Sequence, residues 1–307
     1  MEVDFIMGSL RFNYRSDAIG GYIDITVVYP TDNFCYYDMA EGVRFHKIPG
    51  MQQKERYVPG MKFQTVYLLH GGSDNDSLTY RYTNAELFAQ RNNVMLVTPN
   101  IMNSFGADTD YGVCYGIFLT EELPLVMQTL FASSPEREDN FIMGYAMGGN
   151  AALGTAIKRP DLFHTCIDIS GGIGYTVNPK TLQEELDGDH FRNHFPLYNA
   201  SFGEGKDLPG SRHDMQKTAR QHIENGDVLT KMILIAGSEE GFIRERVEAD
   251  ADTLLSMGWP VEYLCAQGYG HDFRMWNDYI EKALDHLLPL KRRPLFPENN
   301  AAKDVSR

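Results

Sequence analysis

Short apolar runs rich in Val, Ile and Leu alternate along this chain with longer stretches of helical composition. That pattern is expected of a mostly parallel sheet covered by helices on both faces, because strands buried on two sides read as continuous apolar runs. Residues 22–29 instead alternate apolar and polar side chains, as a half-exposed strand does. Further strands are predicted at 65–69, 94–97, 141–143, 166–169, 232–235 and 261–264. Helical composition fills 84–92, 119–131, 151–158, 243–257 and 272–288. The expected fold class is α/β.

Two stretches interrupt the alternation. Residues 32–62 hold turn formers, including Pro49 and Pro59, and read as a loop beside the N-terminal strands. Residues 175–226 separate two predicted strands by far more chain than an ordinary connection, and such inserts are commonly lids or binding loops. Their aromatic residues (Tyr175, Phe191, Phe195, Tyr198 and Phe202) suit a cap over a site. The expected organisation is one domain over 1–293, a cap-like insert at about 175–226, and a mobile tail over 294–307.

Composition narrows the partners. With 28 basic against 42 acidic residues, the net charge of −14 disfavours nucleic acid and anionic membranes. The one basic cluster, Lys291-Arg292-Arg293, follows the last helix and reads as a solvated flank. No run approaches the roughly 18 apolar residues of a membrane span, and Met1 to Phe5 is acidic, unlike a signal peptide. The four cysteines form no C-x-x-C pair; Cys166 and Cys265 lie in apolar runs and read as buried free thiols. A cytoplasmic setting is expected. Homo-oligomers are frequent among soluble enzymes, but the sequence does not specify an oligomeric state.

The candidate chemistry centres on Gly144-Tyr145-Ala146-Met147-Gly148-Gly149. This run has the layout of a nucleophile elbow, in which a strand turns sharply into a helix and small neighbours let the backbone fold tightly. Alanine stands at the nucleophile position, Ala146. A serine hydrolase also needs a histidine base, an acid that orients it, and an oxyanion hole, and in this class the acid and the histidine follow the nucleophile in the chain. His271, in Gly270-His271-Asp272-Phe273 after a predicted strand, is the candidate base, with Asp272 placed to cap the next helix. Glu239 and Glu240 follow the preceding strand; either can reach His271, and Glu240 is the chosen acid. Both could instead only cap the helix that follows, whose N-terminus favours acids. Asp250 and Asp252, farther along that helix, are expected to face solvent.

The oxyanion hole is made of backbone N–H groups and is therefore marked by glycines. His70-Gly71-Gly72 closes an apolar strand, so the candidate donors are the N–H groups of Gly72 and Met147. His70 is expected to support that loop, and Trp259 and Trp276 to serve packing. The spacing of His190 and His194 near Asp187 and Asp189 is too sparse for a metal site, and none is expected.

These blocks, together with Val97-Thr98-Pro99-Asn100 and Glu121-Glu122-Leu123-Pro124, resemble the esterase D and tributyrin-esterase-like branch of the α/β-hydrolases. That branch includes S-formylglutathione hydrolases and feruloyl and acetyl xylan esterases. The resemblance implies the α/β-hydrolase fold, a serine esterase without a cofactor, and a small-molecule ester substrate such as a feruloylated or acetylated saccharide. It places the nucleophile at position 146, the base at His271 and the acid on the Glu239-Glu240 pair. The branch commonly shows aspartate there, so glutamate followed by Gly241 is a departure. The aromatic insert suggests a feruloyl or cinnamoyl acyl group, with short-chain acetyl or butyryl the alternative and S-formylglutathione behind both. Ala146 fits either a deliberate serine replacement in an otherwise complete enzyme or a natural pseudoenzyme that binds rather than cleaves. An acyl-enzyme cannot form on an alanine, so the chain is expected to be inactive.

Overall fold

Thr65–Leu69, Met95–Pro99, Asn140–Tyr145 and Thr165–Ile169 are buried at every residue, which a strand achieves only inside a sheet covered on both sides. The computed structural model describes residues 8–30, 60–173, 177, 200–202 and 210–296. Its sheet has eight strands: β1 Gly8–Ser16, β2 Gly21–Tyr29, β3 Thr65–Leu69, β4 Met95–Pro99, β5 Asn140–Tyr145, β6 Thr165–Ile169, β7 Lys231–Gly237 and β8 Val261–Ala266. Their spatial order is β1-β2-β4-β3-β5-β6-β7-β8. The pairs β1–β2 and β2–β4 are antiparallel, and every later pair is parallel.

Alternate side chains of each central strand feed two cores. Tyr67, Leu69, Ile142, Cys166 and Leu234 pack on one side with α3 Leu123–Leu130, α4 Met147–Lys158, α5 Met215–Asn225 and α6 Phe242–Met257. Leu68, Phe141, Met143, Ile167 and Ile235 pack on the other with α2 Ala85–Arg91 and α7 Phe273–Lys282. A short α1, Leu78–Tyr82, lies between β3 and α2.

The period-two and apolar-run signals located β2 to β8 but not β1. Its sequence, GSLRFNYRS, is mostly solvent-facing and carries little apolar pattern. It is held by hairpin pairing with β2, from Gly8 opposite Tyr29 to Ser16 opposite Gly21. Within the predicted insert, α5 buries Met215 and Ala219 in the first core. Phe202 also packs inward, edge-on to Phe105 and to His213. The other aromatics of that insert, the histidines His190 and His194, and most of the loop expected at 32–62 lie outside the described residues.

The basic run after the last helix is tied down rather than merely solvated. Lys291 Nζ reaches Asp139 at 2.7 Å and Arg292 Nε reaches Asn92 at 2.8 Å. Leu295, in the expected tail, exchanges backbone hydrogen bonds with Lys62. Asp250 is buried and accepts the Val177 N–H at 3.1 Å, because α6 turns that face onto the sheet; Asp252 is exposed. Cys265 is only partly buried, since β8 is the edge strand. Cys114, Cys166 and Cys265 are free thiols. Among the described residues, no helix is long and apolar enough to cross a membrane.

Candidate active site

Four loops at the C-terminal ends of parallel strands converge, where open α/β sheets place their ligands. The first is the elbow. Between β5 and α4, Ala146 has φ +51° and ψ −123°, a conformation costing an L-residue on the order of 1–3 kcal/mol. Its neighbours show why the turn is so tight. A Cβ on Gly144 would lie 2.2 Å from the Gly148 carbonyl oxygen, and one on Gly148 would lie 2.2 Å from that of Leu69. Only glycine allows β3, β5 and α4 to approach that closely. As the first residue of α4, Met147 has an N–H with no intrahelical acceptor.

The loop after β3 supplies the facing amide. His70 is fully buried, and its Nε2 accepts the Ile101 N–H at 2.9 Å. The ring hydrogen therefore sits on Nδ1, which donates to the Gly71 carbonyl at 2.8 Å. Burial lowers the pKa of His70, in keeping with this neutral tautomer. The peptide is trans, so fixing the Gly71 carbonyl toward His70 turns the Gly72 N–H away from it.

The third and fourth loops bring an acid to a base. Glu240, three residues past β7, has a fully buried side chain. Its Oε2 accepts the Gly237 N–H at 2.6 Å, and its Oε1 accepts from His271 Nδ1 at 2.7 Å. That bond places the ring hydrogen on Nδ1 and leaves Nε2 of a neutral His271 as a free base. Gly241, at φ +59°, lets the chain reverse into α6 directly after the acid. The His271 ring stands edge-on to Trp276, 5.0 Å between centroids. Asp272 caps α7 by accepting the Met275 N–H at 3.1 Å, which fixes the start of the helix beside His271.

A cavity of about 270 Å³ joins these parts. Gly71, Gly72, Ala146, Met147 and His271 all line it, with Glu240 behind His271. Glu239 is exposed and does not line the cavity; its N–H donates to the Tyr269 carbonyl. Among the lining residues to which the sequence assigned no role are Asp74, just past the Gly-Gly turn, and Tyr145, just before Ala146. Tyr145 lay inside the recognised elbow, but its spacing gave no sign that its hydroxyl, through the fold, reaches Asp74.

A strained elbow, a carboxylate-held histidine and two loop amides around one cavity, on this strand order, define an α/β-hydrolase. A sequence profile of the Esterase family matches residues 52–287, and the chain belongs to that family. It is 27% identical over 235 residues to an acetyl esterase of Caldicellulosiruptor saccharolyticus, covering 75% of this chain and 85% of that one. Among solved structures it is similar to a fluorophosphonate-binding serine hydrolase F of Staphylococcus aureus, with a TM-score of 0.73 and 24% identity over 91% of this chain and 97% of that one. An S-formylglutathione hydrolase of the same organism gives a TM-score of 0.69 at 23% identity, over 91% and 98% of the respective chains.

Proposed function

We propose that this chain carries the machinery of a serine carboxylic ester hydrolase for short-chain acyl groups, with Ala146 in the place of the nucleophilic serine. The observation that carries the reading is the Glu240–His271 pair on the wall of the cavity that holds the strained Ala146. An alanine gains nothing from its backbone conformation, whereas a serine there would aim its hydroxyl at the reacting carbon. Ala146 is thus best explained as a replaced serine in an otherwise complete site.

In the serine form, the hydroxyl at position 146 attacks the ester carbonyl as its proton passes to His271 Nε2. Glu240 holds the ring and stabilises the imidazolium. The N–H groups of Gly72 and Met147 receive the oxyanion of the tetrahedral intermediate. His271 then protonates the departing alcohol, and water releases the acid by the same steps. No cofactor is required. Without the hydroxyl, no acyl-enzyme forms, and binding plus the oxyanion hole leave only about 10³–10⁴-fold catalysis over water.

Three observations support a small acyl group. The cavity of about 270 Å³ is below the roughly 300–1,000 Å³ typical of drug-sized ligand sites. Phe202, one of the aromatics that suggested a cinnamoyl group, is packed in the core. The relative from Caldicellulosiruptor saccharolyticus is an acetyl esterase. S-formylglutathione fits less well: among the described residues no lysine or arginine lines the cavity to meet a glutathione carboxylate.

The test is Ala146→Ser, assayed on phenyl acetate, phenyl butyrate and methyl ferulate. The expected order of turnover is acetate, butyrate, ferulate, with the alanine form near background on all three. Ferulate turned over fastest would overturn the acyl assignment. Failure on every ester, with ligand binding intact, would make the chain a binding module.

A further inference from the structure

We propose that Tyr145 and Asp74 form a brace that positions the oxyanion loop, a role that rests on the esterase reading above. Tyr145 is the last residue of β5 and immediately precedes position 146. Tyr145 is completely buried, yet its hydroxyl reaches the loop that follows β3. It donates to Asp74 Oδ2 at 2.7 Å, across 71 residues of sequence. Because that bond uses its only hydrogen, the contact with Thr79 Oγ1 at 3.0 Å must have Thr79 as donor. A second acceptor role of Asp74, to the Asn75 N–H at 2.7 Å, closes the turn locally.

The ring itself is the floor of the loop. A Cβ on Gly71 would lie 3.0 Å from Tyr145 Cε2 and 3.5 Å from Ala146 Cβ. Gly71 therefore packs against one edge of the phenol ring and against the nucleophile position. His70 holds the Gly71 carbonyl from one side, and the Tyr145–Asp74 bond anchors the chain two residues beyond Gly72 from the other. The Gly72 N–H lies between two fixed points, one of which belongs to the elbow strand. One residue thus ties the Gly72 donor to the Met147 donor, so that the pair keeps a fixed separation. A carboxylate accepting a phenol hydrogen in a half-buried setting makes this a strong bond for its size. Tyr145 and Asp74 transfer no proton in the reaction; they act through the amides they position.

Tyr145→Phe keeps the ring floor and removes only the brace. In an Ala146→Ser background the expected result is a fall in kcat of about 10- to 100-fold, as for a misplaced reacting group. KM stays within about twofold, because uniform binding is untouched. Asp74→Asn, which keeps an acceptor oxygen, should lose less than Asp74→Ala. A second readout needs no turnover: in the Ala146 chain, Tyr145→Phe should speed hydrogen exchange at the Gly71 to Ser73 amides by about 10-fold or more, with the protected amides of β5 and β6 unchanged. Unchanged kcat, a kcat loss matched by a fall in melting temperature, or unaltered exchange in that loop would each overturn the brace. If the Ala146→Ser protein turns over no ester at all, the esterase reading fails while the exchange measurement still decides whether the loop is held this way.

Discussion

At the scale of single residues, the site is set by how two carboxylate oxygens of Glu240 are used. One accepts the Gly237 N–H and the other accepts from His271 Nδ1, so both must be acceptors. A glutamine has one acceptor oxygen and one NH₂ group, so it fits both partners only when the ring hydrogen moves to Nε2, and a histidine in that tautomer cannot take the serine proton. Glu240→Gln in the Ala146→Ser background should therefore lower kcat by about 10³–10⁴-fold, in the range seen when a triad acid loses its charge. Glu239→Gln, at an exposed position, should change it less than about twofold. Steady-state kinetics on phenyl acetate separate the two, and equal losses would remove Glu240 from the triad role. The sequence offered two neighbouring acids and favoured Glu240, the one whose carboxylate meets His271. Which one turns inward depends on Gly241 and its positive φ, and the extra glycine is readable as a turn but not as a direction.

At the scale of elements, the elbow works because β3, β5 and α4 meet with almost no space between their backbones. Gly148→Ala would place a methyl 2.2 Å from the Leu69 carbonyl oxygen and 2.5 Å from that of His70. Backbone atoms cannot yield as a flexible side chain can, so the loss of stability should reach or exceed the roughly 1–3 kcal/mol of ordinary overpacking. Urea denaturation checks this, and a loss under about 0.5 kcal/mol, typical of a neutral surface change, would contradict it. Buried parallel strands were legible because apolar residues dominate their short runs, even where Asp168 interrupts β6, and α4, α6 and α7 because their compositions are helical. β1 was not legible, since an edge hairpin strand is specified by pairing with β2 rather than by its own pattern. The five-residue α1 was too short for a helical period to show, and α5, with a mean composition that is polar, was hidden in a stretch read as insert. Asp250 was misplaced for a related reason: a carboxylate gives no sign in sequence of the backbone N–H it will meet.

At the scale of the whole molecule, stability carries a cost written into the sheet. Asp168, on β6, is fully buried, and one of its oxygens has no hydrogen-bond partner among the described residues. Burial first, then the nearby charges of Asp250 and Glu240, raises its pKa well above the usual carboxylate range. The folded state thus holds this proton more tightly than the unfolded chain. Its contribution to stability is fully present below the unfolded pKa, near 4, and is lost as pH rises through the folded value. Asp168→Asn should remove that slope, so that the variant gains on the parent as pH rises above the unfolded value near 4, by urea midpoints taken from about pH 4 to 8. Parallel curves for parent and variant would show that Asp168 titrates alike in both states. The family and the α/β architecture were legible from a handful of glycine-marked loops, because close backbone contacts tolerate few other residues. The acyl group was read from the aromatics of the insert, and of these Phe202 packs in the core.

If position 146 holds an activated nucleophile, as proposed, its serine form should react with a fluorophosphonate. Incubating Ala146→Ser with a fluorophosphonate and measuring intact mass tests it directly, because only a hydroxyl deprotonated by a positioned base displaces fluoride at phosphorus. A single adduct mapped to residue 146 is expected, absent from the alanine chain and lost when His271→Ala is added. An unlabelled serine form, or labelling that persists without His271, would contradict it.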